Sequence, residues 1–189
     1  MRVKLSMREH GAAALVAALL LPTIGSVRAQ QPSHALLAVQ ANLAPHPAPQ
    51  QPLPFSHKLH VAMGLPCQLC HANPDPGELM TFPASSTCTS CHATMVPDRP
   101  AIKKLAEYAS SNELIPWVRV YNVLPGVTWT HRKHLEAAVQ CESCHGLVGK
   151  LDAMSETTAV TGMASCVSCH QARGASAACA VCHAWPSES

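Results

Sequence analysis

Ten cysteines in this chain of 189 residues fall into five pairs of one spacing, and a histidine follows every pair at once. The copies are Cys67/Cys70/His71, Cys88/Cys91/His92, Cys141/Cys144/His145, Cys166/Cys169/His170 and Cys179/Cys182/His183. No cysteine is left over. Cys-x-x-Cys-His is the pattern of c-type haem attachment: two thiols bond to the porphyrin edge, and the adjoining histidine reaches the iron. Zinc knuckles and disulfides also use paired cysteines. Neither needs a histidine after every second one, so the motif implies five covalently bound c-type haems.

Five porphyrins limit the fold. Only 4% of the residues are aromatic, which is thin for an ordinary core, and the porphyrin rings would supply the missing apolar surface. The expectation is a mainly α and irregular multihaem cytochrome c fold, with short helices and loops wrapped around haems and no extensive sheet.

The chain begins with Arg2, Lys4 and Arg8, continues through an apolar run over 11–21, and reaches Pro22 and Val27-Arg28-Ala29. This layout predicts a secretory signal peptide over 1–29, with an uncleaved anchor as the alternative. It implies a periplasmic, exported protein with possible membrane association, which fits covalent haem attachment on the exported side of the bacterial membrane. Removing 1–29 takes away four of 13 basic and one of 11 acidic residues, leaving nine against ten. The mature chain is near-neutral, and no basic patch in it points to nucleic acid.

Residues 30–54 hold six prolines and five glutamines and read as a linker or wrapping arm, with His34 and His46 as solvated histidines. An internal repeat follows. Phe55-Ser56-His57-Lys58-Leu59-His60 stands six residues before Cys67, and Trp129-Thr130-His131-Arg132-Lys133-His134 stands six before Cys141, at an offset of 74. Each copy runs on into a further motif, which predicts a dihaem module at 55–95, a connector at 96–128, a trihaem module at 129–183 and a tail at 184–189. In the connector, Asp98 is expected to cap a helix through Ile102 and Leu105, and residues 116–121 to form a strand or extended segment. Arg119 is a candidate partner for propionates.

A proximal histidine fills one axial position of each iron, so function turns on the other. The His-x-x-His pairs, His57/His60 and His131/His134, put two imidazoles on one helical face. Gripping two different irons, they would hold neighbouring haems together. Four such histidines serve four irons. For the fifth, Met163 is the candidate thioether donor, with Met63, Met80, Met95 and Met154 as rivals.

The stretch from Trp129-Thr130-His131-Arg132-Lys133-His134 to Cys179-Ala180-Val181-Cys182-His183 resembles the small class III cytochromes c of the c3/c7 type, with their bis-histidine haems. With Ile115-Pro116-Trp117-Val118-Arg119-Val120-Tyr121 included, the chain from 55 to 183 more closely resembles the pentahaem cytochrome subunit of alternative complex III, a bacterial membrane quinol oxidoreductase. The resemblance implies that His57 completes the haem of His71, His60 that of His92, His131 that of His145 and His134 that of His170. Met163 then pairs with His183. Implied too is an electron-transfer protein in a respiratory chain, with redox proteins as partners. The competing expectation is a reductase of a small oxyanion such as nitrite, with the His183 iron open and Lys150, Arg173 and His46 beside it.

Overall fold

The computed structural model describes residues 38–184, which lie within one compact unit spanning His34–Ser189. The expected signal segment, His34 and the tail beyond Ala184 fall outside the described residues. Among the described residues, eight short helices follow one another: α1 His57–Ala62, α2 Cys67–Cys70, α3 Ser85–His92, α4 Pro100–Ser111, α5 His131–Glu136, α6 Cys141–His145, α7 Met163–Ala172 and α8 Cys179–Cys182. A 3-10 turn, Val148–Lys150, separates α6 from α7. Among the described residues the only β pairings are isolated bridges, Ala41 to Thr158 and Val127 to His183. The architecture is mainly α and irregular, as the motif density requires. No helix among the described residues is long and apolar enough to cross a membrane.

Local chemistry sets where these helices begin. The Ser56 hydroxyl caps α1 by accepting from the Leu59 N–H at 3.2 Å, and the Thr130 hydroxyl caps α5 by accepting from Arg132 at 3.1 Å. The connector helix departs from expectation. Arg99, not Asp98, stands at the N-cap of α4, and no side chain caps it. Pro100 occupies the first helical position, where its fixed φ and missing N–H suit a helix start. Residues 116–121 form no ladder, so the strand alternative is replaced by irregular chain.

Protein side chains alone make a small core. Its buried apolar members are Leu53, Leu105 and Ile115, with Cys88, Ile102, Tyr108 and Trp117 packed against them. No large side chain among the described residues is completely buried, while Leu59, Val61, Met63 and Leu69 around the first motif are all more than two-fifths exposed. Apolar side chains left open beside the attachment motifs suit a fold completed by flat apolar groups.

The two repeats dock on each other reciprocally. Lys58 donates its backbone N–H to Leu151 at 3.0 Å, and Arg132, 74 residues on, donates to Gly77 at 3.1 Å. Leu151 is likewise 74 residues beyond Gly77, so one contact is made twice. Side chains reinforce both copies: Ser56 and Lys58 reach the Asp152 carboxylate at 2.9 and 3.2 Å, while Thr130 donates to the Gly77 carbonyl and Arg132 pairs with Asp75. Gly77 is required where it stands. Its φ is +94°, and an added Cβ would meet Arg132 Cβ at 2.7 Å.

The proline-rich arm is docked along this body. Val39 donates to Ser143, Asn42 to Thr157, and Ala159 returns a bond to Gln40. His46, 87% exposed at its side chain, lies 3.3 Å from a Glu156 carboxylate oxygen.

Candidate cofactor sites

Each His-x-x-His pair sits in the first turn of its helix, and an aromatic residue just upstream wedges against both rings. Phe55 stacks on His60 at 4.3 Å and meets His57 edge-on at 4.9 Å. Trp129 meets His131 edge-on at 4.6 Å and lies tilted against His134 at 4.8 Å. The wedge fixes the rings in orientation and leaves their far sides directed at other helices.

What they face is the set of motif histidines. The ring centres of His57 and His71 are 6.5 Å apart, His60 and His92 6.1 Å, His131 and His145 6.3 Å, and His134 and His170 6.1 Å. One spacing recurs four times. With roughly 2 Å from a metal to each nitrogen and roughly 1.1 Å from nitrogen to ring centre, two imidazoles trans on one metal are about 6.3 Å apart. The four pairs fit a group with iron at its middle.

Ring orientation separates the pairs into two kinds. The planes of His57/His71 and His131/His145 are nearly parallel, at 13° and 9°. By contrast, His60/His92 is turned by 62° and His134/His170 by 42°.

Hydrogen bonds select the tautomer. Nδ1 of His60 donates to the Ser56 carbonyl at 2.8 Å, of His134 to Thr130 at 2.9 Å, of His71 to Thr81 at 2.8 Å, of His131 to Glu78 at 2.8 Å and of His170 to Ser176 at 2.6 Å. A carbonyl only accepts, so Nδ1 carries the proton and Nε2 keeps its lone pair, as a metal ligand must. Burial also holds His57, His131 and His145 below the ordinary imidazole range, which keeps them neutral. His57 departs from this scheme, since its Nδ1 is buried with no hydrogen-bond partner among the described residues.

Burial pushes up several attachment thiols, and thiols of other motifs add to the effect. The Cys88 thiol is raised by burial and by Cys70; Cys141 is pushed up to about 11 by burial and by Cys67. Burial raises Cys144, helped by Cys169 and Cys166, and Cys166 in turn is raised by burial and Cys182. Cys91, also expected to bond a porphyrin, has a different setting from its motif partner Cys88. It is exposed, and its sulfur accepts from the Ser90 hydroxyl at 3.9 Å, an outward placement that the motif alone does not predict. All ten cysteines are unpaired by disulfides.

The fifth motif is placed differently. His183 bridges to Val127, and Thr128 donates to the Cys182 carbonyl at 2.7 Å. Met163 opens α7 with its side chain 70% exposed. The three residues expected beside an open iron stand on separate elements: Lys150 in the 3-10 turn, Arg173 reaching the Ala137 carbonyl at 3.5 Å, and His46 against Glu156. Tyr121, which the motif pattern did not single out, lies 5.2 Å from His145, and its hydroxyl accepts from Thr157 at 2.7 Å.

Comparison with known proteins adds two findings. Residues 59–146 match the family model described as cytochrome c3. The menaquinone reductase multiheme cytochrome c subunit of Nitratidesulfovibrio vulgaris is 32% identical over 99 residues, covering 51% of this chain and 46% of that protein. The chain therefore spans about half the length of the curated relative it matches.

Proposed function

We propose, on the premise that this chain is a c3-like multihaem cytochrome, that it relays electrons through five covalent haems between redox partners on the exported side of a bacterial membrane. Four facing imidazole pairs of one spacing, 6.1–6.5 Å, carry this reading. The residues that would hold the haems are the ten motif cysteines, the proximal His71, His92, His145, His170 and His183, and the distal His57, His60, His131 and His134. When bound, c-type haems supply one-electron oxidation and reduction at potentials set by axial ligands and surroundings.

The protein's part is to saturate and align. Two imidazoles on one iron leave no position for substrate, which favours electron transfer over ligand chemistry. Helices α1 and α5 each span two sites, so neighbouring sites share a rigid support. For the fifth site we assign Met163 as the sixth donor, because it opens α7 three residues before Cys166 and the two His-x-x-His pairs already serve the other four irons.

The partner reading is a membrane quinone oxidoreductase in a respiratory chain. Its support is the likeness to a menaquinone reductase subunit, together with the sequence resemblance to the pentahaem subunit of alternative complex III. The exported location rests on the signal-like N-terminus.

Near-infrared magnetic circular dichroism of the oxidised mature protein tests the ligation. Four bis-histidine signals and one histidine/methionine signal are expected. A high-spin signal from one haem in five would overturn the relay in favour of oxyanion reduction at the His183 site.

A further inference from the structure

The connector carries two donors that lack acidic partners. Nε1 of Trp117 is buried and has no hydrogen-bond acceptor. A buried N–H left unpaired loses its hydration with nothing in return, so such groups in a finished structure have a partner. Arg119 forms no ion pair with a carboxylate among the described residues. Its guanidinium reaches the Met80 carbonyl at 3.3 Å and lies 4.8 Å over the Phe82 ring.

Both residues are held in place. Between them, Val118 gives its N–H to the Gln51 side-chain oxygen and takes the Gln51 amide on its carbonyl, each at 2.9 Å. This two-bond clamp fixes the backbone from which Trp117 and Arg119 project.

Their surroundings name two sites. Trp117 packs on the cluster that contains Cys88, and its ring is 6.3 Å from Phe55, which stacks on His60. His60 faces His92. On the other side, Phe82 beneath Arg119 lies 6.4 Å from His71, which faces His57. A c-type haem brings two carboxylates on its edge, and these need donors once taken from water.

We propose that Trp117 and Arg119 hold haem propionates at the first two sites, the indole N–H at His60/His92 and the guanidinium at His57/His71. The inference rests on the haem reading above and assigns the connector a cofactor-binding role besides packing. A donor on a propionate damps the negative charge felt at the iron. Its loss leaves more negative charge there and stabilises the oxidised state.

The test uses the full-length matured protein and the variants Trp117→Phe, Arg119→Gln and Arg119→Lys. Intact mass counts haems first. A wild-type chain without covalent haem overturns the relay itself, whereas five haems in every variant leaves that reading standing and isolates the propionate role. Resonance Raman spectra should then show altered propionate bending bands in Trp117→Phe and Arg119→Gln. Midpoint potentials should fall for one strongly tilted centre in the first variant and for one near-parallel centre in the second. Arg119→Lys keeps the charge and should restore most of the potential. Wild-type propionate bands in both variants, with five haems bound, would overturn the proposal whatever the potentials do.

Discussion

Lys58 donates its backbone N–H to the Leu151 carbonyl at 3.0 Å, and this bond ties the distal-histidine helix of one repeat to the loop behind the first motif of the other. The 74-residue shift turns it into the bond from Arg132 to Gly77 at 3.1 Å. The repeats thus clasp each other as an internal two-fold pair. Mutual docking sets α1 beside the chain following His145, and α5 beside the chain following His71.

Gly77→Ala should open one half of this clasp. The position combines φ +94° with a Cβ that would meet Arg132 Cβ at 2.7 Å, so strain and overlap act together. A loss of about 1–3 kcal/mol is expected, read as a lower thermal midpoint. Gly126 has φ +84° and open space where a Cβ would go. Gly126→Ala should therefore cost only the conformational part, roughly 1 kcal/mol. Equal losses in the two variants would show that the clasp contributes nothing.

Ring tilt predicts two kinds of low-spin iron. Near-parallel imidazole planes, as at His57/His71 and His131/His145, split the iron orbitals in the ring plane strongly and give ordinary rhombic spectra. Strongly turned planes, as at His60/His92 and His134/His170, leave them closer to degenerate and give highly anisotropic spectra. Electron paramagnetic resonance of the oxidised protein should show two signals of each kind from these four centres. A single kind would contradict the 9–62° range of angles.

The internal two-fold is broken at one atom, with a redox consequence. Nδ1 of His131 donates to the Glu78 carbonyl at 2.8 Å, whereas Nδ1 of His57 is buried without a partner. A donated Nδ1–H makes the imidazole a more basic ligand and favours the oxidised metal. Each near-parallel pair thus has one donated ring, His71 with Thr81 and His131 with Glu78, and in a potentiometric titration the Glu78 bond bears on the His131/His145 signal. Gly77→Ala, which disturbs the chain next to Glu78, should move that signal and leave the other in place.

Much of this architecture was legible in the sequence because it rests on residue identity. The motifs, the 74-residue register and the two wedging aromatics are such features. The docking contacts were not, because Gly77 and Leu151 share no chemistry and act through their carbonyls. Backbone acceptors at Thr81, Glu78 and Ser176 escape composition for the same reason. The unlike settings of Cys88 and Cys91 were hidden too, since the motif gives both thiols one role, while the first is half-buried against the small core and the second is exposed. Asp98 looked like a cap because aspartate suits that position, but Pro100 moved the helix start one residue on. The prolines of 30–54 allow a tether or a wrapping arm and do not choose between them. Backbone bonds to Ser143 and Thr157, and the burial of Leu53, hold the described part of it against the body.

Acid should loosen the first half of the clasp. The Asp152 carboxyl is held below the ordinary carboxylate range by the Ser56 hydroxyl and by Lys58. A depressed carboxylate stabilises the fold above its unfolded pKa, and that stability is lost as pH falls through its folded value. Asp152→Asn should therefore lower the thermal midpoint at pH 7, by a small amount since the pair is exposed. The gap between variant and wild type should narrow as pH falls below the ordinary aspartate value, about 3.9. A gap that persists in strong acid would assign the effect to side-chain packing.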